Sequence, residues 1–205
     1  MPSTLPEPFK DLLSNEVSVV TKRSLDKFPV RVFLCGSAVK NPRSRSGRAR
    51  RKDIRIFIKS KLKSEMKQCE VTLGEHKNTT RAYAEAIGRR AFNLADHEFA
   101  LVKNHMDLVI IFPCSPGSFA ELGMFCLVED VAGKLRIIVD REQKTSKGYV
   151  MLGPVKAAEQ NNAKVVYVDY KHRDNVWKEI KELVLEVKAR KRKRRLLGVK
   201  KNVRG

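Results

Sequence analysis

Short apolar runs alternate with longer amphipathic segments along most of the chain. Five runs rich in β-branched residues predict strands over residues 30–35, 69–73, 107–112, 135–139 and 163–168. Apolar residues recur at helical spacing over residues 53–66, 80–104 and 118–131, and again after residue 172. Buried strands that alternate with amphipathic helices form a parallel sheet with helices on both faces. The pattern therefore predicts an α/β fold with a doubly wound, mostly parallel sheet of about five strands.

The pattern also predicts three parts of the chain. Residues 1–28 are predicted to be an N-terminal helical segment, with a helix over residues 7–23. Residues 29–172 are predicted to be the α/β domain, and residues 173–205 a C-terminal helix with a basic tail. A chain of 205 residues is long enough for one such domain to bury a core without disulfides.

The cysteines and histidines indicate neither a disulfide framework nor a metal site. The four cysteines are far apart and form no C-x-x-C pair, and the four histidines show no metal-ligand spacing. The longest apolar stretch, Leu108 to Pro113, is far shorter than the roughly 20 residues of a membrane helix, and the N-terminus has no signal-peptide pattern. We expect a soluble, cytoplasmic protein that needs no metal or other cofactor and does not contact membranes.

The formal net charge of +20, from 43 Lys and Arg against 23 Asp and Glu, restricts the partners to polyanions and phosphorylated ligands. Residues 40–52 carry seven basic side chains and residues 188–205 carry ten. Such runs are often only solvated, but they can also bind nucleic acid through phosphate contacts that do not read sequence. The first run can instead hold the phosphates of a small nucleotide. The candidate nucleic-acid-binding residues are Arg43, Arg45, Arg48, Arg50, Arg51, Lys191, Arg192, Lys193, Arg194 and Arg195.

Candidate chemistry lies where the predicted strands end, because ligands of such sheets bind outside the carboxyl ends of the strands. The most unusual turn runs from Pro113 to Glu121 and contains two prolines, a glycine and small polar side chains. We expect the amides of Gly117, Ser118 and Phe119 to point into the cleft, where they can bind anions or sugar hydroxyls. Glu121 would then lie in the first helical turn, where the helix dipole favours its ionised form. The candidate substrate-binding residues are Gly36, Ser37, Ser115, Gly117 and Ser118.

The same turn has a purely structural interpretation. Ser118 and Glu121 have the spacing of a capping box, in which each side chain satisfies a backbone amide of the helix start. Cys114 lies beside them, but no histidine is placed to activate it, so we interpret it as an inert thiol.

The string SPGSFAELGMF, residues 115–125, resembles the G-x-x-x-E-L-G signature of nucleoside deoxyribosyltransferase-like proteins. It is most similar to the SPGSF-x-ELG-x-F form of retron-associated antiphage effectors. The strings VFLCGS at residues 32–37, GE at residues 74–75 and GPVK at residues 153–156 are also similar to that family. The resemblance spans roughly residues 30–160 and implies a Rossmann-like, deoxyribosyltransferase-like domain.

The resemblance also implies an activity. In that superfamily the glutamate of E-L-G, here Glu121, attacks the anomeric carbon of a nucleoside, and a carboxylate there stabilises an oxocarbenium-like transition state. For this chain it implies cleavage of the N-glycosidic bond of a nucleotide such as NAD. Glu75 and Glu98 are further candidate catalytic carboxylates, as acids or sugar ligands. The resemblance further implies a homo-oligomer and, as a partner, a retron reverse transcriptase with its RNA or DNA.

Two other functions remain open at this point. The chain can be a non-catalytic module that binds a nucleotide or nucleic acid through its basic segments, in which case Glu121 only caps a helix. It can also be a phosphoribohydrolase like the lonely-guy family, whose turn reads Pro-Gly-Gly-x-Gly-Thr-x-x-Glu. The turn here has a single glycine, which makes the last alternative the least favoured.

Overall fold

The computed structural model describes residues 29–36, 54–66, 68–74 and 93–197. The predicted helix over residues 7–23, the basic run at 40–52 and the first half of the segment 80–104 lie outside these ranges. The described residues form a five-stranded, entirely parallel sheet of order β2-β1-β3-β4-β5, and this confirms the predicted α/β fold. Its strands are β1 (Val30–Cys35), β2 (Cys69–Thr72), β3 (Leu108–Ile111), β4 (Leu135–Asp140) and β5 (Lys164–Val168).

Helices connect these strands and cover the sheet. They are α1 (Ile54–Glu65), α2 (Leu94–His105), α3 (Pro116–Phe125), α4 (Glu129–Ala132), α5 (Lys156–Gln160) and α6 (Arg173–Leu196), with a 3₁₀ turn at Arg141–Gln143 and a π-helical turn at Met151–Val155. The single helix predicted over 118–131 is wrong: α3 ends at Phe125, and the extended backbone of Val128 separates it from α4.

Alternate residues of each strand face opposite layers, so the sheet has two cores. On one face, Val32 and Leu34 of β1 pack with α1 and α6. On the other face, Phe33 and Cys35 pack with the helices between α2 and α5. Both faces of β1 and β3 are therefore buried, which explains why these strands are almost continuously apolar.

The end of α6 is attached to the amino edge of the sheet. The Lys191 ammonium lies 2.6 Å from Oδ2 of Asp107, just before β3, and donates to the Pro29 carbonyl, just before β1, at 2.8 Å. The basic C-terminal run is thus helical through Leu196, and Lys191 joins it to the domain. Within the described ranges, no helix combines the length and apolar character that crossing a membrane requires.

Candidate active site

The strand order reverses between β1 and β3, and the turns that follow these strands lie side by side. The amide of Phe112 donates to the Cys35 carbonyl at 3.2 Å, which keeps the two strand ends in register. Arg55 of α1 is almost completely buried, and its Nη1 donates to the Gly36 carbonyl at 2.9 Å. The reversal point of such a sheet is where its ligands bind, so these turns define the candidate site.

Two carboxylates from different helices meet beside Gly74, at the end of β2. A methyl group built on Gly74 would lie 2.2 Å from Oε1 of Glu98 and 3.5 Å from Oε1 of Glu121. The two oxygens are therefore no more than about 6 Å apart, which is shorter than the roughly 6.5–9.5 Å between the carboxyl groups of inverting glycosidases. Glu98 is buried, and Glu121 is half-buried with its Oε2 enclosed.

Helix periodicity places both glutamates. In α2, Glu98 lies one turn before the buried Val102, so it continues the face of the helix that packs on the sheet. The adjacent His97 is also buried, and burial lowers the pKa of its imidazole. In α3, Glu121 immediately precedes the buried Leu122. Both helices lie on the same face of the sheet, because the right-handed connections from β2 to β3 and from β3 to β4 cross the sheet in the same direction.

A buried thiol and a buried guanidinium complete the cluster. Cys35, the last residue of β1, is fully buried. Burial raises the pKa of Cys35 well above its usual value, and the negative charges of Glu121 and Glu98 raise it further. The positive charge of Arg55 acts in the opposite direction. Side chains from β1, α1, α2 and α3 therefore interact at one point of the sheet edge.

The start of α3 differs from the sequence prediction. Ser115, not Ser118, is the N-cap, Pro116 is the first helical residue, and the capping box joins Ser115 to Ser118. The capping box predicted between Ser118 and Glu121 is therefore wrong, as is the placement of Glu121 in the first turn. Pro at the first helical position was the signal in the sequence that could have located this cap. Glu121 lies in the second turn, so the capping interpretation does not account for it.

Two of the three amides predicted to point into the cleft are used inside the turn. The amide of Ser118 donates to Oγ of Ser115 at 3.3 Å, and the amide of Phe119 donates to the Ser115 carbonyl at 3.0 Å. The Ser118 hydroxyl is fully buried; it accepts from the amides of Cys114 and Ser115 and donates to the Ser115 carbonyl. Its donor and both acceptor positions are thus occupied. Gly117 is exposed and has open space around its Cα.

The other residues that the sequence predicts for the site lie partly inside and partly outside the described part of the structure. Gly36 and Ser115 lie at the carboxyl edge together with Glu98 and Glu121. Ser37 and Glu75 directly follow Gly36 and Gly74 but lie outside the described residues. Three residues that were not named as site residues from the sequence, Cys35, Arg55 and Gly74, lie at the site, although Gly74 belongs to a strand-end turn that the sequence pointed to. Arg55 had a signal, since it is a charged residue that adjoins the apolar stripe of α1.

Tyr170, after β5, packs against the residue that follows β3. Its hydroxyl donates to the Ile138 carbonyl, and its ring packs edge-on against Phe112 with the centroids 5.9 Å apart. Burial raises the pKa of Tyr170, and the proximity of Cys114 and Asp140 adds to that shift. Tyr170 is therefore neutral at physiological pH. Cys114 is exposed.

The basic residues at the end of α6 lie at the opposite edge of the sheet. Arg192, Lys193 and Arg194 are exposed, whereas Lys191 is half-buried against Asp107. The side chain of Arg195 lies outside the described part of the structure, as do Arg43, Arg45, Arg48, Arg50 and Arg51. Any polyanion bound along the end of α6 would thus be separated from the carboxylate pair by the length of the strands.

Comparison with known proteins adds two findings. The sequence profile of the family described as STM3845 retron effector protein matches residues 51–203, a range that includes α1 through α6 and both glutamates of the pair. A protein of Escherichia coli named "Retron Ec86 putative ribosyltransferase/DNA-binding protein" is 41% identical over 61 residues, which are 30% of this chain and 20% of that protein. The match therefore spans about a fifth of the length of that curated relative.

Proposed function

The chain belongs to the STM3845 retron effector family, and from this premise we propose that it is an N-glycosidase or ribosyltransferase that acts in antiphage defence. Its substrate would be a nucleotide such as NAD, and its site would be of the nucleoside deoxyribosyltransferase-like kind. The observation that carries the proposal is the proximity of the Glu98 and Glu121 carboxylates beside Gly74. The ribosyltransferase in the name of the Escherichia coli relative supports it.

In this proposal Glu121 is the nucleophile. Its carboxylate attacks C1′ of the ribose, and the base departs with the electron pair of the C1′–N bond, which leaves a glycosyl ester on Glu121. Nicotinamide leaves NAD as a neutral molecule and needs no proton, whereas a purine leaves more readily when Glu98 protonates it. Water or an acceptor then attacks C1′, Glu98 takes the proton, and Glu121 is released. The short carboxylate separation fits this double displacement.

The turns around the pair would bind the rest of the substrate. Gly36, Ser115 and Gly117 lie at the same edge, and the open space at Gly117 leaves room for a ribose or a phosphate. Cleavage inside a water-poor cluster also fits the extent to which Glu98 and Cys35 are buried.

The test is release of free base from NAD and from a panel of nucleosides and nucleotides, separated by chromatography. Glu121→Gln is expected to lower the rate at least about 10³-fold, because it removes the nucleophile. Glu98→Gln is expected to slow purine release about 10²–10⁴-fold and NAD cleavage less. Glu182→Gln, an exposed carboxylate on α6, is the control. Undiminished release by Glu121→Gln would exclude its role as nucleophile.

A second candidate function is a nucleic-acid-binding module without catalysis. It is favoured by the exposed Arg192, Lys193 and Arg194 on a helix end that Lys191 holds in place, and by the DNA-binding part of the relative's name. Its partner would be the nucleic acid of a retron reverse transcriptase complex. This candidate function is tested by fluorescence anisotropy with a labelled single-stranded oligonucleotide. The salt concentration is varied from about 50 to about 200 mM, because binding through phosphate contacts weakens strongly over that range.

For that candidate, alanine at all three positions should weaken binding and flatten the salt dependence, by roughly one unit of slope for each phosphate that the variant no longer neutralises. A turnover of zero in the base-release assay, together with salt-dependent binding, would favour the module over the enzyme. Both activities can coexist, because the two surfaces lie at opposite edges of the sheet.

A further inference from the structure

The space that a side chain at Gly36 would occupy is filled by other parts of the protein. A methyl group built on Gly36 would lie 3.1 Å from Cδ of Arg55 and 3.6 Å from Cβ of Phe112. The backbone of Gly36 does not adopt the left-handed conformation that favours glycine. Glycine at this position is therefore explained by the close approach of Arg55, and not by an unusual turn.

Arg55 holds the carbonyl of the same glycine. Its Nη1 donates to that carbonyl at 2.9 Å, and the stem of its side chain lies against Gly36. Arg55 is only 3% exposed, although a guanidinium is charged at any physiological pH. Burial of a charge is costly, and the donors of a guanidinium form a rigid plane, so the position of the carbonyl relative to α1 is closely defined.

The held carbonyl lies next to the carboxylate pair. The parallel register of β1 and β2, continued beyond their ends, places Gly74 at the level of the residue that precedes Gly36. Neighbouring strands lie only about 4.8 Å apart. Because the Glu98 and Glu121 carboxylates meet beside Gly74, the turn that Arg55 holds adjoins the proposed reaction centre.

On the premise of the function proposed above, we propose that Arg55 is a positioning residue that fixes the turn after β1 for substrate binding, and that Gly36 is glycine in order to admit it. The missing side chain of Gly36 makes room for Arg55, and the substrate binds against the fixed backbone. Arg55 itself does not touch the substrate, and its replacement leaves both carboxylates in the protein. Loss of its hydrogen bond should therefore weaken substrate binding more than it slows the chemical step.

The kinetic test replaces the arginine and compares KM with kcat for base release from NAD. Arg55→Met removes the donors but keeps much of the stem, and it should raise KM about tenfold while kcat changes less. Arg55→Lys keeps a charged donor and should recover part of this loss. Arg136→Met is the matched control, because Arg136 is also 3% exposed and donates to a glycine carbonyl, that of Gly133 at 3.2 Å, but near the amino end of β4. The control should leave KM unchanged, whatever its effect on stability.

A second measurement reports on the hydrogen bond without any reaction. The chain contains two Gly–Ser pairs, Gly36–Ser37 and Gly117–Ser118. Protein labelled at the glycine carbonyl carbons and the serine nitrogens therefore gives one carbonyl–amide NMR correlation for each pair. Arg55→Met should move the carbonyl signal of Gly36, and the control variant should leave it in place. The carbonyl signal of Gly117 is the internal reference and should stay unchanged in both variants.

Either an unchanged KM or an unchanged Gly36 carbonyl signal in Arg55→Met would overturn the proposal. An equal rise of KM in Arg136→Met would also overturn it, because the effect would then follow from the loss of any buried arginine. If Arg55→Met does not fold, Gly36→Ala decides. Its methyl group must displace Arg55 by a few tenths of an ångström and should raise KM, so an unchanged KM would count against the proposal.

The failure of the proposed function is a separate result, in which the wild-type protein releases no base from any nucleotide. The carbonyl signals do not depend on turnover, so they still decide whether Arg55 holds the turn after β1. A Gly36 signal that does not respond to Arg55→Met overturns that arrangement, and one that responds upholds it.

Discussion

Replacement of Gly74 by alanine should separate activity from stability in this protein. The new methyl group would lie 2.2 Å from Oε1 and 3.2 Å from Cδ of Glu98. An ordinary carbon–oxygen contact is about 3.4 Å, so the Glu98 carboxylate must move by about 1 Å. The group that must move is the end of a side chain, not backbone, so the fold can absorb the change.

The two expected magnitudes differ for this reason. A glutamate turned away from its preferred rotamer costs about 0.5–1.5 kcal/mol, so the free energy of unfolding should fall by about 1 kcal/mol. In the proposed reaction Glu98 is a catalytic group, and a displacement of about 1 Å in such a group costs about 10²-fold in rate. Gly74→Ala should therefore lose about 10²-fold in base release while remaining folded.

Base release and urea denaturation, measured on the same preparations, check both numbers. Gly133→Ala is the matched control, because Gly133 has an ordinary helical φ of −59° and lies before β4, at the other edge of the sheet. Its added methyl would make only a 3.4 Å contact with the Glu129 carbonyl. Activity of Gly74→Ala equal to that of Gly133→Ala would refute the reasoning that the position of Glu98 beside Gly74 matters for catalysis.

Two further predictions concern stability. Lys191→Ala should lower the free energy of unfolding by about 2 kcal/mol, because it leaves the half-buried Asp107 and the Pro29 carbonyl without this donor. Lys193→Ala, exposed two residues later, should stay within about 0.5 kcal/mol in the same urea titration, and an equal effect of the two variants would contradict the role of the Lys191 ammonium. Ser115→Ala should cost about 1 kcal/mol in thermal unfolding, since it removes the cap of α3. Ser64 is an exposed serine in α1, and Ser64→Ala should leave the thermal stability unchanged. An unchanged thermal stability in Ser115→Ala would argue against the cap.

Whether a substitution should affect mainly activity or mainly stability depends on the edge of the sheet at which the residue lies. Gly74 and Glu98 lie beside Glu121 at the carboxyl edge. Lys191 and Asp107 lie at the amino edge. Changes at the first group should alter base release more than stability, and changes at the second group should do the reverse.

The hydrophobic pattern by itself determined the strands, the helices α1, α2 and α6 and the parallel α/β class, but it did not predict α5 and it joined α3 to α4. β1 was predicted with its observed bounds, and β4 and β5 within one residue at one end. A strand that is buried on both faces is a continuous run of apolar residues, so these strands could be identified from the sequence. The sequence also predicted which edge of the sheet carries the candidate site, because the carboxyl ends of parallel strands must lie together. It did not predict where α3 begins, because the spacing of Ser118 and Glu121 indicated one N-cap and the pair Ser115–Pro116 indicated another.

Only the tertiary structure decided which side chains meet. Glu98 and Glu121 come together because the order β2-β1-β3 places Gly74, α2 and α3 around the end of β1. Periodicity along a helix tells which face is buried, but it does not contain the order of strands or the distance between helices. For the same reason Cys35 was indistinguishable from an ordinary core cysteine until the structure showed that burial and the negative charges of Glu121 and Glu98 raise its pKa.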